Sequence, residues 1–206
     1  MKITAPPTPT KIVCIGRNYA DHAKELGNEA PSEPLLFLKP PSALLPSGGT
    51  IVLPRQSQLV HHEGELAIVV GRQAKDVAAA DWRDYVLGFT CANDVSARDL
   101  QRKDVQFTRG KGFDTFCPVG PHVETELDPF DLRLVTRVNG EVKQDGRTSQ
   151  MIFPCDFLFE YVSAHMTLMP GDLILTGTPA GVGSLRAGDT VEVEIEGIGV
   201  LRNAVA

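Results

Sequence analysis

Short apolar runs broken by glycine and proline dominate the pattern of this chain, and most of them read as β-strands. The pattern predicts strands at Lys11–Ile15, Ile51–Leu53, Glu65–Val70 and Val86–Ala92. Leu132–Val138 and Glu141–Lys143 flank Asn139-Gly140, a strong hairpin signal because both turn residues tolerate positive φ. Asp172–Thr176, Thr190–Glu196 and Gly199–Val205 read as closing strands. Helices are fewer. One is expected over Tyr19–Leu26, stopped at Gly27, and another over Ala78–Tyr85. A third, Ser96–Lys103, has Ser96 and Asp99 spaced as a capping box. The last, about Asp156–Met166, follows Pro154 and gathers Phe157, Leu158, Tyr161 and Val162 on one face. Strands outnumber helices and form no βαβ series, so the fold class expected is mainly β with short helices (α+β). Residues 1–10 form a Pro-rich lead, and residues 11–206 one domain with no linker or repeat.

Composition narrows the function. The chain has 206 residues, 42% of them hydrophobic, enough for a core without disulfides. With 26 acidic against 20 basic side chains and no basic stripe, a nucleic-acid partner is not expected. No apolar run approaches the length of a membrane span and no export signal is evident, which points to the cytoplasm. Cys14, Cys91, Cys117 and Cys155 are scattered among apolar neighbours and read as buried, reduced thiols.

The most informative stretch is His61-His62-Glu63-Gly64-Glu65-Leu66-Ala67. Residues two apart on a strand share a face, so Glu63 and Glu65 stand side by side. Adjacent carboxylates against an apolar wall repel unless a proton or a metal resolves them. Asp94, at the end of the Val86–Ala92 strand, offers a third carboxylate, and such a trio suits Mg²⁺ first and Mn²⁺ second. The solvent face of an edge strand is the competing reading. Zinc is the weaker one, since neighbouring His61 and His62 point to opposite faces.

Three other constellations carry possible chemistry. His22 and Glu25 share a helix face, an arrangement that makes a general base or merely a solvated pair. Lys111 lies between Gly110 and Gly112, where an ammonium could neutralise an oxyanion, or where a flexible loop could simply run. Thr176-Gly177-Thr178-Pro179-Ala180-Gly181-Val182-Gly183 looks superficially like a phosphate cradle but lacks the Walker lysine. Its hydroxyls and amides could bind a carboxylate instead, or form a plain multi-glycine turn.

Taken in order, these segments resemble the fumarylacetoacetate hydrolase family, in its small acylpyruvase-like branch. The resemblance rests on Cys14-Ile15-Gly16-Arg17-Asn18-Tyr19-Ala20-Asp21-His22, Phe37-Leu38-Lys39-Pro40, the Glu63–Glu65 stretch and Asn93-Asp94-Val95-Ser96-Ala97-Arg98-Asp99. Gly110–Asp114, Val138–Glu141 and Leu175–Gly183 extend it from Lys11 to the C-terminus. The resemblance implies a mixed β-roll, usually a homodimer. It implies metal ligands at Glu63, Glu65 and Asp94, a water-activating pair at His22 and Glu25 in a lid segment, and an active-site lysine at Lys111. Arg17, Gln101 and Thr178 fall on substrate-facing positions.

The function implied is Mg²⁺- (or Mn²⁺-) dependent hydrolysis of the C3–C4 bond of 2,4-dioxo acids, of acylpyruvate or fumarylpyruvate type. The products would be pyruvate and a carboxylic acid. The alternative is oxaloacetate decarboxylation, or isomerisation and decarboxylation of dienedioates from aromatic catabolism, at the same site. An N-terminal domain like that of the larger hydrolases is not expected, so its substrate contacts are not carried over.

Overall fold

The computed structural model of the chain describes residues 2–3 and 8–206. Pro6 and Pro7 of the Pro-rich lead lie outside the described residues. The larger sheet has eight strands. Its hydrogen-bonded order runs Lys2–Ile3, Cys117–Glu124, Val86–Asn93, Gly64–Val70, Leu173–Leu175, Ile12–Gly16 and Leu35–Lys39, with Leu44–Pro46 paired to Cys117–Glu124. Only a four-residue link separates Leu35–Lys39, at one end of this order, from Leu44–Pro46 near the other. The sheet therefore curls round on itself, as closure of a strand order requires. Ile12, Cys14, Ala67, Val69, Ala92 and Cys117 belong to one core cluster.

A second sheet, in the order Glu141–Arg147, Arg133–Val138, Thr190–Ile195, Gly199–Val205 and Thr50–Ile51, packs against the first. Leu66, Ile68 and Val70 meet Leu134, Val193, Ile195 and Leu201 there, together with Leu158, Phe159 and Val162 of the helix Cys155–His165. The two faces of the Gly64–Val70 strand thus feed two cores, which explains a run buried at every position. A small three-stranded sheet, Gly183–Ser184, Val60–His62 and Ser96–Ala97, completes the mainly β architecture with short helices.

Three local expectations need correction. Over Ala78–Tyr85 only a 3₁₀ turn, Trp82–Tyr85, forms. Trp82 is buried against Phe89, Phe130 and Phe159, and that anchoring outweighs the helical pattern. The predicted Ser96–Lys103 helix begins at Arg98, because Ser96-Ala97 pairs with the Val60–His62 strand. There is no capping box: Ser96 Oγ donates to the Asp94 carbonyl, and Asp99 accepts from Ser57 Oγ and Gln58 N. Lys111 does not sit in a loop but in a short helix, Thr108–Lys111, with Gly110 packed against Gln101. All four cysteines are buried and unpaired. Among the described residues, no helix is long and apolar enough to cross a membrane.

Candidate active site

The antiparallel register between Gly64–Val70 and Val86–Asn93 pairs Gly64 with Asn93 and Glu65 with Ala92. Carried one residue further, it brings Glu63 opposite Asp94, whose amide donates to the Glu63 carbonyl at 2.8 Å. Two neighbouring strand ends thereby deliver three carboxylates. Ligand oxygens of Glu63, Glu65 and Asp94 lie within 4.8 Å of one another, and all three residues are buried. The exposed-edge reading of Glu63 and Glu65 is overturned, since both are buried and the Gly64–Val70 strand, which carries Glu65 and follows Glu63, is internal to the sheet.

Gly64 is required between them by close packing. A Cβ there would collide with Thr136 Oγ1 of the second sheet. Its N–H donates to Gln144 Oε1 at 3.0 Å, and its carbonyl accepts from Thr178 Oγ1 at 2.7 Å. Gln144 also donates to Thr178 Oγ1 and the Pro179 carbonyl, and its Oε1 lies 3.3 Å from His62 Nδ1. His62 therefore faces this network rather than the carboxylates, and among the described residues no histidine joins the cluster.

Three cations offset the three acids. Arg98 Nη2 donates to Glu63 Oε1 in a short contact, and Lys111 Nζ bridges Glu63 Oε2 at 2.7 Å and Asp94 Oδ2 at 2.5 Å. Lys39 Nζ donates to Asp94 Oδ1 at 2.5 Å and to the Val95 carbonyl at 3.1 Å. Glu65 has no such partner and accepts from the Gly177 amide at 2.7 Å. Burial, followed by repulsion from Asp94 and Glu63, raises its carboxyl well above the usual range. Burial opposes ionisation at Glu63 too, but there Arg98 and Lys111 win and hold it well below that range. For Lys111, burial favours the neutral form, yet Asp94 and Glu63 prevail and push it up.

The Thr176–Gly183 segment serves protein carboxylates. Gly177 and Gly181 both adopt positive φ, 97° and 99°, conformations that glycine tolerates. Gly177 turns its amide to Glu65, and Gly181 turns its amide to both oxygens of Glu25 at 3.1 and 3.2 Å. Glu25 Oε2 lies 3.4 Å from His22 Nδ1 on the helix Ala20–Glu25. That helix ends in two reverse bonds, from Gly27 N to Lys24 O and from Asn28 N to Ala23 O, with Gly27 left-handed as expected.

A cavity of about 240 Å³ opens over the carboxylates. Every expected site residue except Glu25 lines it: Arg17, His22, Glu63, Glu65, Asp94, Gln101, Lys111 and Thr178. Gln101 accepts from Arg98 Nη1 at 2.5 Å, and the Thr178 hydroxyl hydrogen is committed to the Gly64 carbonyl. Sequence reasoning assigned no role to Lys39, Arg98 or Gln144. A lysine closing the apolar run Leu35-Leu36-Phe37-Leu38 was a usable signal, because a buried ammonium needs a buried acid. Gln144 lay in a hairpin with nothing to mark it.

The donor set fits a hard divalent ion: three carboxylates, with no thiolate or imidazole among them. A carboxylate without a cationic partner, Glu65, is where added positive charge would be felt most.

The family model for the fumarylacetoacetate (FAA) hydrolase C-terminal region matches residues 11–206. The uncharacterized protein MJ1656 of Methanocaldococcus jannaschii is 55% identical over 197 residues, covering 96% of this chain and 83% of that protein. The human mitochondrial oxaloacetate tautomerase FAHD2A is 48% identical over 214 residues, covering 98% of this chain and 68% of that protein. Among solved structures, 2-hydroxyhepta-2,4-diene-1,7-dioate isomerase from Mycobacterium marinum is similar with a TM-score of 0.92 at 54% identity, over 98% of this chain and 76% of that one. The chain belongs to the fumarylacetoacetate hydrolase family.

Proposed function

We propose that this protein is a divalent-metal-dependent enzyme that moves a proton at C3 of a small 2-oxo acid, interconverting keto and enol forms or shifting an adjacent double bond. The observation that carries this reading is the opening of three buried carboxylates and the His22 imidazole onto one cavity. The names of a tautomerase and an isomerase among its relatives support proton transfer over addition of water.

Glu63, Glu65 and Asp94 would hold Mg²⁺ or Mn²⁺. When bound, such an ion supplies Lewis-acid stabilisation of negative charge on the substrate oxygens, worth several kcal/mol of barrier. Lys39, Lys111 and Arg98 already balance the three acids in charge. A divalent ion then leaves two positive charges, matching the carboxylate and the developing oxyanion of a 2-oxo acid. Lys111 and Arg98 keep Glu63 ionised and ready to ligate. His22 is the base: Glu25 faces Nδ1, which leaves Nε2 to take the C3 proton and return it. The Gly181 amide fixes Glu25 and so the imidazole.

A second reading, hydrolysis of the C3–C4 bond of 2,4-dioxo acids to pyruvate and a carboxylic acid, draws on the same His22–Glu25 pair, which would activate water. Decarboxylation of oxaloacetate belongs with the first reading, since it needs no attacking water. The test follows enol absorbance of oxaloacetate, a dienedioate and acetylpyruvate with Mg²⁺ and with chelator. Metal-dependent interconversion of the first two supports proton transfer. Pyruvate release from acetylpyruvate alone moves the assignment to hydrolysis, and no metal-dependent change with any of them overturns both.

A further inference from the structure

We infer that Asn18 is a positioning residue for Glu65, acting through the Thr176–Gly177 peptide without touching ion or substrate. This rests on the reading of Glu63, Glu65 and Asp94 as a divalent-cation site. Asn18 is 0% exposed and does not reach the cavity wall. Its side-chain amide is spent inside the protein. Oδ1 accepts from Phe153 N at 2.8 Å, and Nδ2 donates to the carbonyls of Phe153 at 3.0 Å and Thr176 at 2.7 Å.

The bond to Thr176 matters because that carbonyl and the Gly177 N–H belong to one peptide unit. A trans peptide is a rigid plane whose C=O and N–H point in opposite directions. Asn18 holds the carbonyl end, and the N–H end donates to Glu65 Oε2 at 2.7 Å. Thr176 N and Oγ1 both donate to the Leu66 carbonyl, at 3.0 and 2.9 Å, which ties the start of this plane to the strand that carries Glu65. Asn18 also packs directly on the plane: a Cβ at Gly177 would lie 2.7 Å from Asn18 Cβ.

Glu65 is the carboxylate that needs such support. Arg98, Lys111 and Lys39 hold Glu63 and Asp94, whereas Glu65 is held by a neutral amide. Hydrogen bonds in a chain polarise one another, so donation into the Thr176 carbonyl strengthens the N–H on the far side. Partners behind a ligand fix its orientation and so its affinity for the ion. Asn18 stands four residues before His22, and its own carbonyl accepts from Ile152 N at 2.8 Å. One side chain thus ties a metal ligand to the root of the helix Ala20–Glu25, which carries the proposed base.

The test is isothermal titration of the full chain with Mg²⁺. Asn18→Ala is expected to weaken Mg²⁺ binding about ten- to a hundredfold. Ser163→Ala removes a buried hydroxyl that accepts from Val77 N at 3.0 Å, away from the cavity wall, and shows what lost stability alone does. Its Mg²⁺ affinity should stay within twofold of wild type. An Asn18→Ala affinity within twofold of wild type, or an equal loss in Ser163→Ala, overturns the inference. Nuclear magnetic resonance of the ¹⁵N-labelled wild type gives a second reading that needs no variant. Of the two Asn18 amide protons, one faces the Thr176 carbonyl and the other the Phe153 carbonyl. Saturating Mg²⁺ should shift the first more than the second, together with the Gly177 amide. Equal shifts, or none in either proton, overturn the inference even where Asn18→Ala fails to fold. A wild type that binds no Mg²⁺ overturns the metal reading, and the inference with it.

Discussion

Lys39 reaches Asp94 across the mouth of the curled sheet, its Nζ 2.5 Å from Oδ1, with a side chain that is 0% exposed. In hydrogen-bonding order the strand that carries Lys39 and the strand that leads into Asp94 are separated by three others, and the curl brings the two residues together. Lys39→Met removes one of the two cations on Asp94, with Lys111 still paired to Oδ2, and leaves a buried carboxylate oxygen without its donor at a cost of about 1–3 kcal/mol. The unfolding free energy is expected to fall by that amount in a denaturant titration. A loss under 1 kcal/mol would show that Asp94 does not depend on Lys39.

His22 carries the proton in the proposed reaction. His22→Gln should lower kcat by roughly a hundred- to ten-thousand-fold, with Mg²⁺ affinity within twofold of wild type. Steady-state kinetics beside a metal titration check both halves. If decarboxylation of oxaloacetate persists in this variant while tautomerisation stops, the two reactions use different parts of the site.

The visible part of this site was its carboxylate spacing. Glu63 and Glu65 two apart on an apolar run, and Asp94 at the end of another, could be read because strand geometry is local and periodic. The His22–Glu25 face and the Gly27 stop were legible for the same reason in a helix. What stayed hidden depends on distant segments. Lys39 meets Asp94 only through closure of the sheet, and Gln144 meets Gly64 only through packing of one sheet on the other. The glycines of the Thr176–Gly183 segment were noticed, but their targets, Glu65 and Glu25, could not be deduced without the register. The strand Cys117–Glu124 was missed because Pro118 and Pro121 interrupt it, although the sheet accommodates both.

Gln144 is fully committed, accepting from Gly64 N and donating to Thr178 Oγ1 and the Pro179 carbonyl. Gln144→Leu preserves bulk but strands these groups, each at about 1–3 kcal/mol. A drop in unfolding free energy within that range or above it is expected, with weakened Mg²⁺ binding because the Gly64 peptide joins Glu63 to Glu65. Unchanged stability and metal affinity would contradict the positioning ascribed to it.

His61 supplies a pH dependence. Burial, with Arg98 nearby, lowers its imidazole to about 4, whereas the unfolded chain protonates near the ordinary histidine value of 6.5. Between those values the unfolded state binds more protons. The contribution is thus fully present above pH 6.5 and lost as pH falls towards 4. Unfolding free energies of wild type and His61→Gln across that window should show a shallower pH slope in the variant. Parallel slopes would mean that His61 titrates normally.

The central claim is that Glu63, Glu65 and Asp94 together hold a divalent cation, and anomalous diffraction from crystals soaked in Mn²⁺ tests it most directly. The account predicts a single strong peak at coordinating distance, about 2–2.2 Å, from an oxygen of each of the three residues, absent in Asp94→Asn. A well-diffracting soak with no peak among those carboxylates, or one held by surface acids instead, would contradict it.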